Sequence, residues 1–239
     1  MASLYLNPGM DAAVGVRVAI EGAEARHAVQ VARVRVGERI AIGDGRGTIA
    51  RGAVVVASPA LVEVEVDELV REEESRPALW LAQALAKGDR DELAIQAATE
   101  LGVSGVIPWA AERSVSRWEG AKVARGEERW RSIVAEASKQ AIRSRVPEVA
   151  PLATTAALAA LPGLTLVLDP TAEKPLTATS LDAERITLVV GPEGGVAPAE
   201  LNRLAAAGAR RVRLGAEVLR TSTAGPAALA VLNARLGRW

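Results

Sequence analysis

At 239 residues the chain suits one large domain or two modest ones, and its 49% hydrophobic content can fill a core. It has no cysteine, which excludes a disulfide framework, a thiolate metal site and a cysteine nucleophile, and its single histidine excludes a two-histidine metal site. Basic and acidic residues number 29 each, so the chain is no uniformly basic nucleic-acid binder, yet its charge is segregated into an acidic stretch at 63–74 and a basic one at 113–145.

No uninterrupted apolar run approaches the roughly 20 residues of a membrane span. The amino-terminal MASLYLNPGMDAAVG carries neither a basic n-region nor a long apolar h-region. A soluble cytoplasmic protein without a membrane partner is expected.

Residues 1 to about 72 read as a β-rich first domain. Val14 to Ile20 and Leu61 to Val66 alternate apolar with polar or small residues. Arg39 to Ile42 and Thr48 to Val56 flank the turn cluster Gly43-Asp44-Gly45-Arg46-Gly47. No helix follows that cluster, so it predicts a hairpin and not a dinucleotide loop. Glu24 to Val34 predicts a short helix with His27, Val31 and Val34 along one face. His27, the single histidine, has either a structural role or a binding role. The acidic segment Asp67 to Pro77 reads as a linker.

The second domain, residues 73–239, has an α/β pattern. Leu79 to Leu85 is an apolar β-run, and Asp89 is placed to cap a helix from Arg90 to Leu101, with Glu92 at the capping-box position. Val103 to Pro108 follows as a strand. From Glu127 to about Ile142 apolar residues recur at helical spacing opposite a basic face, which is either a solvated helix face or a phosphate contact. Ala153 to Leu161 predicts another helix, and Leu164 to Leu168 and Ile186 to Val190 two buried strands.

Two glycine-marked turns then follow strands. Gly191, Pro192, Glu193, Gly194 and Gly195 form the first, ahead of a helix that Pro198 suits and Gly208 stops. After a strand from Arg211 to Leu214, the second runs from Gly215 through Leu219, Arg220, Thr221, Ser222 and Thr223, and Pro226 is placed to open the last helix. Each turn is either an ordinary βα connection or part of a ligand site. Ligands of open α/β sheets sit outside the carboxyl ends of strands, where both turns fall. Glycine also lets backbone groups approach a flat ligand closely. The chain lacks a P-loop, an HExxH, a nucleophile elbow and a metal-ligand cluster, so no metal is expected. A pocket rich in backbone, with Leu168, Leu214 and Leu219 available to line it, remains.

GPEGG, a helix, then LGxxxLRTxTA resembles the RsmE family of 16S ribosomal RNA methyltransferases, of the SPOUT class. The resemblance extends through Gln83 to Gly88, Glu100 to Val103, Glu112 to Ser114 and Arg143 to Pro147, in the family's order. It implies a small PUA-like β-barrel that helps hold RNA, followed by a knotted α/β domain whose loops form a deep trefoil. S-adenosylmethionine is the implied cofactor, seated among Leu168, Gly191, Gly194, Gly195, Leu214, Gly215, Leu219 and Ser222. Many members carry Glu where this chain has Ser222, which removes a carboxylate from that position.

The implied reaction is methylation of N3 of a uridine in small-subunit ribosomal RNA, free or in the ribosomal subunit. Arg220 is the expected catalytic group, because a fixed guanidinium pairs with uracil oxygens as the N3 proton leaves; a salt bridge to a neighbouring carboxylate is its other reading. Glu193 serves either as a base or as a hydrogen-bonding brace of its own turn. Ser222 and Thr223 either orient the base or cap the last helix. Expected RNA contacts are Arg26, His27, Arg33 and Arg35 in the small domain, with Arg113 and Arg143 from the basic run. A homodimer packed through Pro226 to Leu236 is implied as well. A non-catalytic RNA-binding protein of this fold and a nicotinamide-dependent oxidoreductase are the rival readings, the second disfavoured by the missing fingerprint.

Overall fold

Alternating apolar residues build one sheet and continuous apolar runs build another, and the two sheets belong to separate units. The computed structural model describes residues 3–239. One unit comprises the described residues through Glu74 together with Ser138–Val146, and the other comprises Ser75–Ala137 and Pro147–Trp239. The chain therefore returns to its first unit for a short segment, which a single cut near residue 72 does not capture.

In the first unit, β1 (Leu4–Leu6), β2 (Arg17–Glu21), β3 (Arg39–Gly43), β4 (Thr48–Ala57) and β5 (Leu61–Arg71) form a sheet in the order β1-β3-β4-β5-β2. The β3–β4 hairpin across the Gly43–Gly47 turn forms as expected. Alternation puts Val62, Val64 and Val66 of β5 inside, packed with Val18, Ile20, Ile42 and Val54. Gly52 is required where β4 meets β5, since a Cβ there would lie 1.9 Å from the Glu65 carbonyl oxygen.

Two expectations for this unit are corrected. Asp67 to Arg71 is strand and not linker, because Arg39 pairs with Asp67 and Arg51 with Glu68, which offsets the crowded acids. The helix over this region is α1 (Gly22–Arg26) continued by a π-helical turn, His27–Val31, and it buries Ala25 and Ala28. His27 and Val31 are exposed, so of the expected face only Val34 is buried.

In the second unit, β6 (Ala78–Ala84), β7 (Gly105–Trp109), β8 (Glu148–Val149), β9 (Leu164–Leu168), β10 (Arg185–Val190) and β11 (Arg210–Val212) form a parallel sheet in the order β11-β9-β10-β6-β7-β8. The middle strands β6, β9 and β10 are buried almost throughout, as expected for a sheet covered on both faces. The helices are α2 (Arg90–Glu100), α3 (Ala121–Gln140, whose last turn belongs to the first unit), α4 (Thr155–Ala159), α5 (Pro198–Ala206) and α6 (Thr221–Arg235). From the adjacent β6 and β10 the chain builds the sheet outward in opposite directions, and such switch points are where α/β sheets hold ligands.

The starts of α2 at Arg90 and α5 at Pro198 agree with the sequence, whereas the cap of α2 and the start of the last helix differ from it. Asp89 does not cap α2: it sits at φ +59° and makes no side-chain cap bond. The last helix begins at Thr221, five residues before Pro226, which lies inside it. It packs on α2, β6 and β10, and Gly225 allows the approach, because a Cβ there would stand 3.0 Å from Leu81 Cδ1. No helix among the described residues is long and apolar enough to cross a membrane.

Candidate functional site

The carboxyl ends of β9, β10 and β11 and the start of α6 surround a cavity of about 550 Å³. That size is ample for a drug-sized ligand. Leu168 ends β9, Gly191 and Gly195 flank the turn after β10, and Leu214, Gly215 and Leu219 come from the segment after β11; all six line the cavity, with Arg220 and Glu193. Gly194 and Ser222 do not. The Gly194 carbonyl accepts a hydrogen bond from Arg113 Nη1 at 3.1 Å, and Ser222 sits one residue past the lining Thr221.

The first turn is held rigidly. A Cβ on Gly191 would lie 2.8 Å from Val196 Cγ2, so only glycine leaves the backbone open there. Gly195 turns at φ +70° with nothing within 4 Å of an added Cβ, so its requirement is conformational. Glu200, in the first turn of α5, accepts from the amides of Ala197 at 3.2 Å and Glu112 at 3.0 Å and from the Thr155 hydroxyl at 2.6 Å. A buried carboxylate so bonded fixes the α5 start against two other segments.

Glu193 accepts from Arg90 Nη1 at 2.8 Å and from the Lys87 amide at 3.1 Å. Partial burial pushes its carboxyl up, but bonds from its own amide, Arg90 and the Lys87 amide outweigh that and hold it below the usual carboxylate range. A carboxylate held low and doubly bonded is a weak proton acceptor. Asp169, also on the wall, is occupied likewise: Arg211 Nε donates at 2.7 Å and the Thr171 amide and hydroxyl at 2.8 Å each. Among the described residues, no side-chain ion pair involves Arg213, Glu217 or Arg220, which leaves the cavity's open side with unpaired charge of both signs. The salt-bridge reading of Arg220 thus finds no partner carboxylate.

Thr221 was missed. Its hydroxyl donates to the Gly191 carbonyl at 2.8 Å and accepts from Gln83 Nε2 at 2.8 Å, which ties the second loop to the first and both to β6. Three successive hydroxyl residues offered no local basis for choosing it, since the choice depends on a buried amide far away in sequence.

Of the expected RNA contacts, Arg26, His27, Arg33 and Arg35 are exposed on the first unit, and Arg33 adopts φ +59°. Arg143 is half-buried there, and burial lowers its pKa to about 10, which leaves it cationic at neutral pH. Arg113 belongs to the second unit and braces the Gly194 turn.

A parallel α/β sheet with a cavity walled by glycine turns at the carboxyl ends of β9, β10 and β11, in a chain with a small β unit before it, defines a two-unit α/β protein whose candidate ligand site lies in the second unit. Residues 72–233 match the model of an RNA methyltransferase domain, and residues 20–67 that of an RNA methyltransferase PUA domain. The ribosomal RNA small subunit methyltransferase E of Mycobacterium bovis is 39% identical over 94% of this chain and 89% of its own. The protein of that name from Bacillus subtilis is 30% identical over 90% of this chain and 88% of its own. The crystal structure of the Neisseria gonorrhoeae protein of that name, bound to S-adenosyl methionine, superposes with a TM-score of 0.89 at 29% identity, covering 98% of each chain. The chain belongs to the RNA methyltransferase family.

Proposed function

We propose that this chain methylates N3 of a uridine in 16S ribosomal RNA, with S-adenosylmethionine held in the cavity between the two glycine turns. The observation that carries the reading is the cavity itself, backbone-walled at Gly191 and Gly195, apolar at Leu168, Leu214 and Leu219, and flanked by unpaired charges of both signs. The cofactor has matching parts: a flat adenine for the apolar wall, ribose hydroxyls for backbone groups and a zwitterionic amino-acid tail for the charges. When bound, it supplies an electrophilic methyl group on a sulfonium.

The rest is work for the chain's own residues. Arg220, at the N-cap of α6 and on the cavity wall, pairs with the uracil oxygens as charge develops on them with loss of the N3 proton to solvent. Glu193 acts as a brace of the first turn, a role supported by its two bonds and its lowered pKa. Thr221 holds the two turns in register. Arg26, His27, Arg33 and Arg35 hold RNA by its phosphates from the PUA part, because a phosphate meets local charge and not the chain's zero net charge.

The fold reading extends to a trefoil knot. What supports it is the path of α6, which follows edge strand β11 yet packs against β6 and β10 in the middle of the sheet. A cytoplasmic homodimer is part of the proposal too. Leu229 and Leu232 are buried within the subunit, so the dimer face of α6 is the half-buried side with Ala227, Ala230 and Val231.

The test is methyl transfer from labelled cofactor to small ribosomal subunits lacking the modification, with the product mapped by mass spectrometry. A methyl group on uridine N3 is expected. Label on another atom, or none, overturns the reading.

A further inference from the structure

A second cavity, of about 320 Å³, lies where the loop after β6 enters α2. Its wall includes Trp118, whose ring lies against Gly126, where a Cβ would fall 2.5 Å from the indole. Trp130 stands edge-on to it, with ring centroids 5.6 Å apart and planes at 82°. Val115, 72% exposed, lines the rim.

The polar groups of this cavity are not equally available. Glu92 is taken up by Arg129, and the Asp91 oxygens accept from the amides of Ala86 and Glu92. Asp89 is different. Its left-handed backbone at φ +59° keeps it from capping α2, and among the described residues its carboxylate has no hydrogen-bond partner. Lys87, exposed on the same loop, offers an ammonium group. One carboxylate that is close enough to Arg129 to feel its charge but not hydrogen-bonded, beside one cationic donor and under an indole wall, selects a flat ligand whose edge carries donors next to an acceptor. Guanine has that edge, with N1–H and the 2-amino group beside O6, and a purine also stacks well on indole. A phosphate would meet the carboxylates and is disfavoured. The loop also touches the first cavity, because the Lys87 amide and Arg90 both hold Glu193.

We propose that this cavity is a specificity site that takes an unstacked guanine of the RNA substrate next to the target nucleotide, with its ring on Trp118, N1–H and the 2-amino group on Asp89, and O6 on Lys87. The proposal rests on the RNA methyltransferase reading above.

Guanosine 5′-monophosphate is the probe, titrated into the full-length protein and followed by indole N–H resonances, the Trp118 signal being assigned by its loss in Trp118→Phe. Guanosine monophosphate should shift that signal, and uridine monophosphate should not. Asp89→Asn, at an exposed side chain, should weaken this binding roughly tenfold. In methyl transfer it should raise KM for ribosomal subunits by a similar factor with kcat and cofactor affinity unchanged, and Trp118→Phe, which keeps an aromatic face, should lose less than Trp118→Ala. Equal shifts by both nucleotides, or Asp89→Asn with unaltered nucleotide binding and KM, would overturn the proposal. A wild-type protein that binds the guanine nucleotide but transfers no methyl group would sink the functional reading alone, and active methylation with no nucleotide-induced shift would sink this site alone.

Discussion

The Thr221 hydroxyl lies 2.8 Å from the Gly191 carbonyl oxygen and so joins two turns that are 30 residues apart. The same hydroxyl accepts from the fully buried Gln83 amide, so its removal strips a partner from a buried donor and from a part-buried carbonyl. Thr221→Val should cost about 1–3 kcal/mol of stability and weaken cofactor binding, whereas Thr221→Ser should retain most of both. Urea denaturation and titration calorimetry measure the two. A Val variant with wild-type cofactor affinity would show that the turns hold their places without this bond.

The sheet was legible because periodicity reports burial directly: Leu164 to Leu168 and Ile186 to Val190 read as buried runs and occur as β9 and β10 within a residue. The starts of α2 and α5, at Arg90 and Pro198, were legible as well, but the cap of α2 and the start of α6 were not, because they depend on backbone angles and on packing between distant residues that spacing does not show. Asp89 has the right identity for a cap and the wrong backbone angle, while α6 starts at Thr221 and carries Pro226 inside it. Glycine turns were legible as turns, and six of the eight residues expected at the cofactor line the cavity. Gly194 fails because its carbonyl is turned to Arg113, a bond between residues 81 positions apart.

Gly195 and Gly191 should respond differently to substitution. The protein leaves open space around Gly195, so the obstacle to a side chain there is the backbone at φ +70°. Gly195→Asn, whose side chain tolerates the left-handed region, should therefore retain more cofactor affinity than Gly195→Val. Gly191→Ala should lose affinity even though it is the smallest change, since its Cβ meets Val196. Calorimetric affinities in the reverse order would locate the constraint elsewhere.

Acid should loosen the first turn through Glu193. Its folded pKa lies below its ordinary 4.5, so the stabilisation it gives is complete above that pH and is lost as pH falls through the folded value. Glu193→Gln lacks this titration. The stability difference between wild type and the variant should shrink as pH is lowered below about 4.5, the ordinary value. A difference that stays constant with pH would mean that the bonds to Arg90 and Lys87 do not depend on the charge.

Arg33 and Arg35 are exposed on the PUA part, where they are proposed to neutralise phosphates. Replacing both with Gln should weaken RNA binding and reduce the slope of log affinity against log salt by about one to two, one for each lost phosphate contact. Cofactor affinity should not change, since neither residue lines the cavity. An unaltered salt slope would return both arginines to an ordinary solvated surface.

Arg220 should act in the transition state more than in binding. Uracil arrives neutral and gains charge on its oxygens only as the N3 proton departs, so a guanidinium beside it interacts more strongly at that moment. The side chain is exposed on the cavity wall and has no carboxylate partner among the described residues, which leaves its charge available to substrate. Arg220→Ala should lower kcat by roughly 10² or more, the scale of a lost oxyanion donor, while KM for RNA changes little. Arg220→Lys keeps the charge without the planar fork and should recover only part of the rate. Single-turnover methylation at saturating cofactor separates these effects, with cofactor affinity measured for each variant. If the loss fell on KM alone, Arg220 would be a phosphate anchor, and charge stabilisation at the uracil oxygens would have to come from another group.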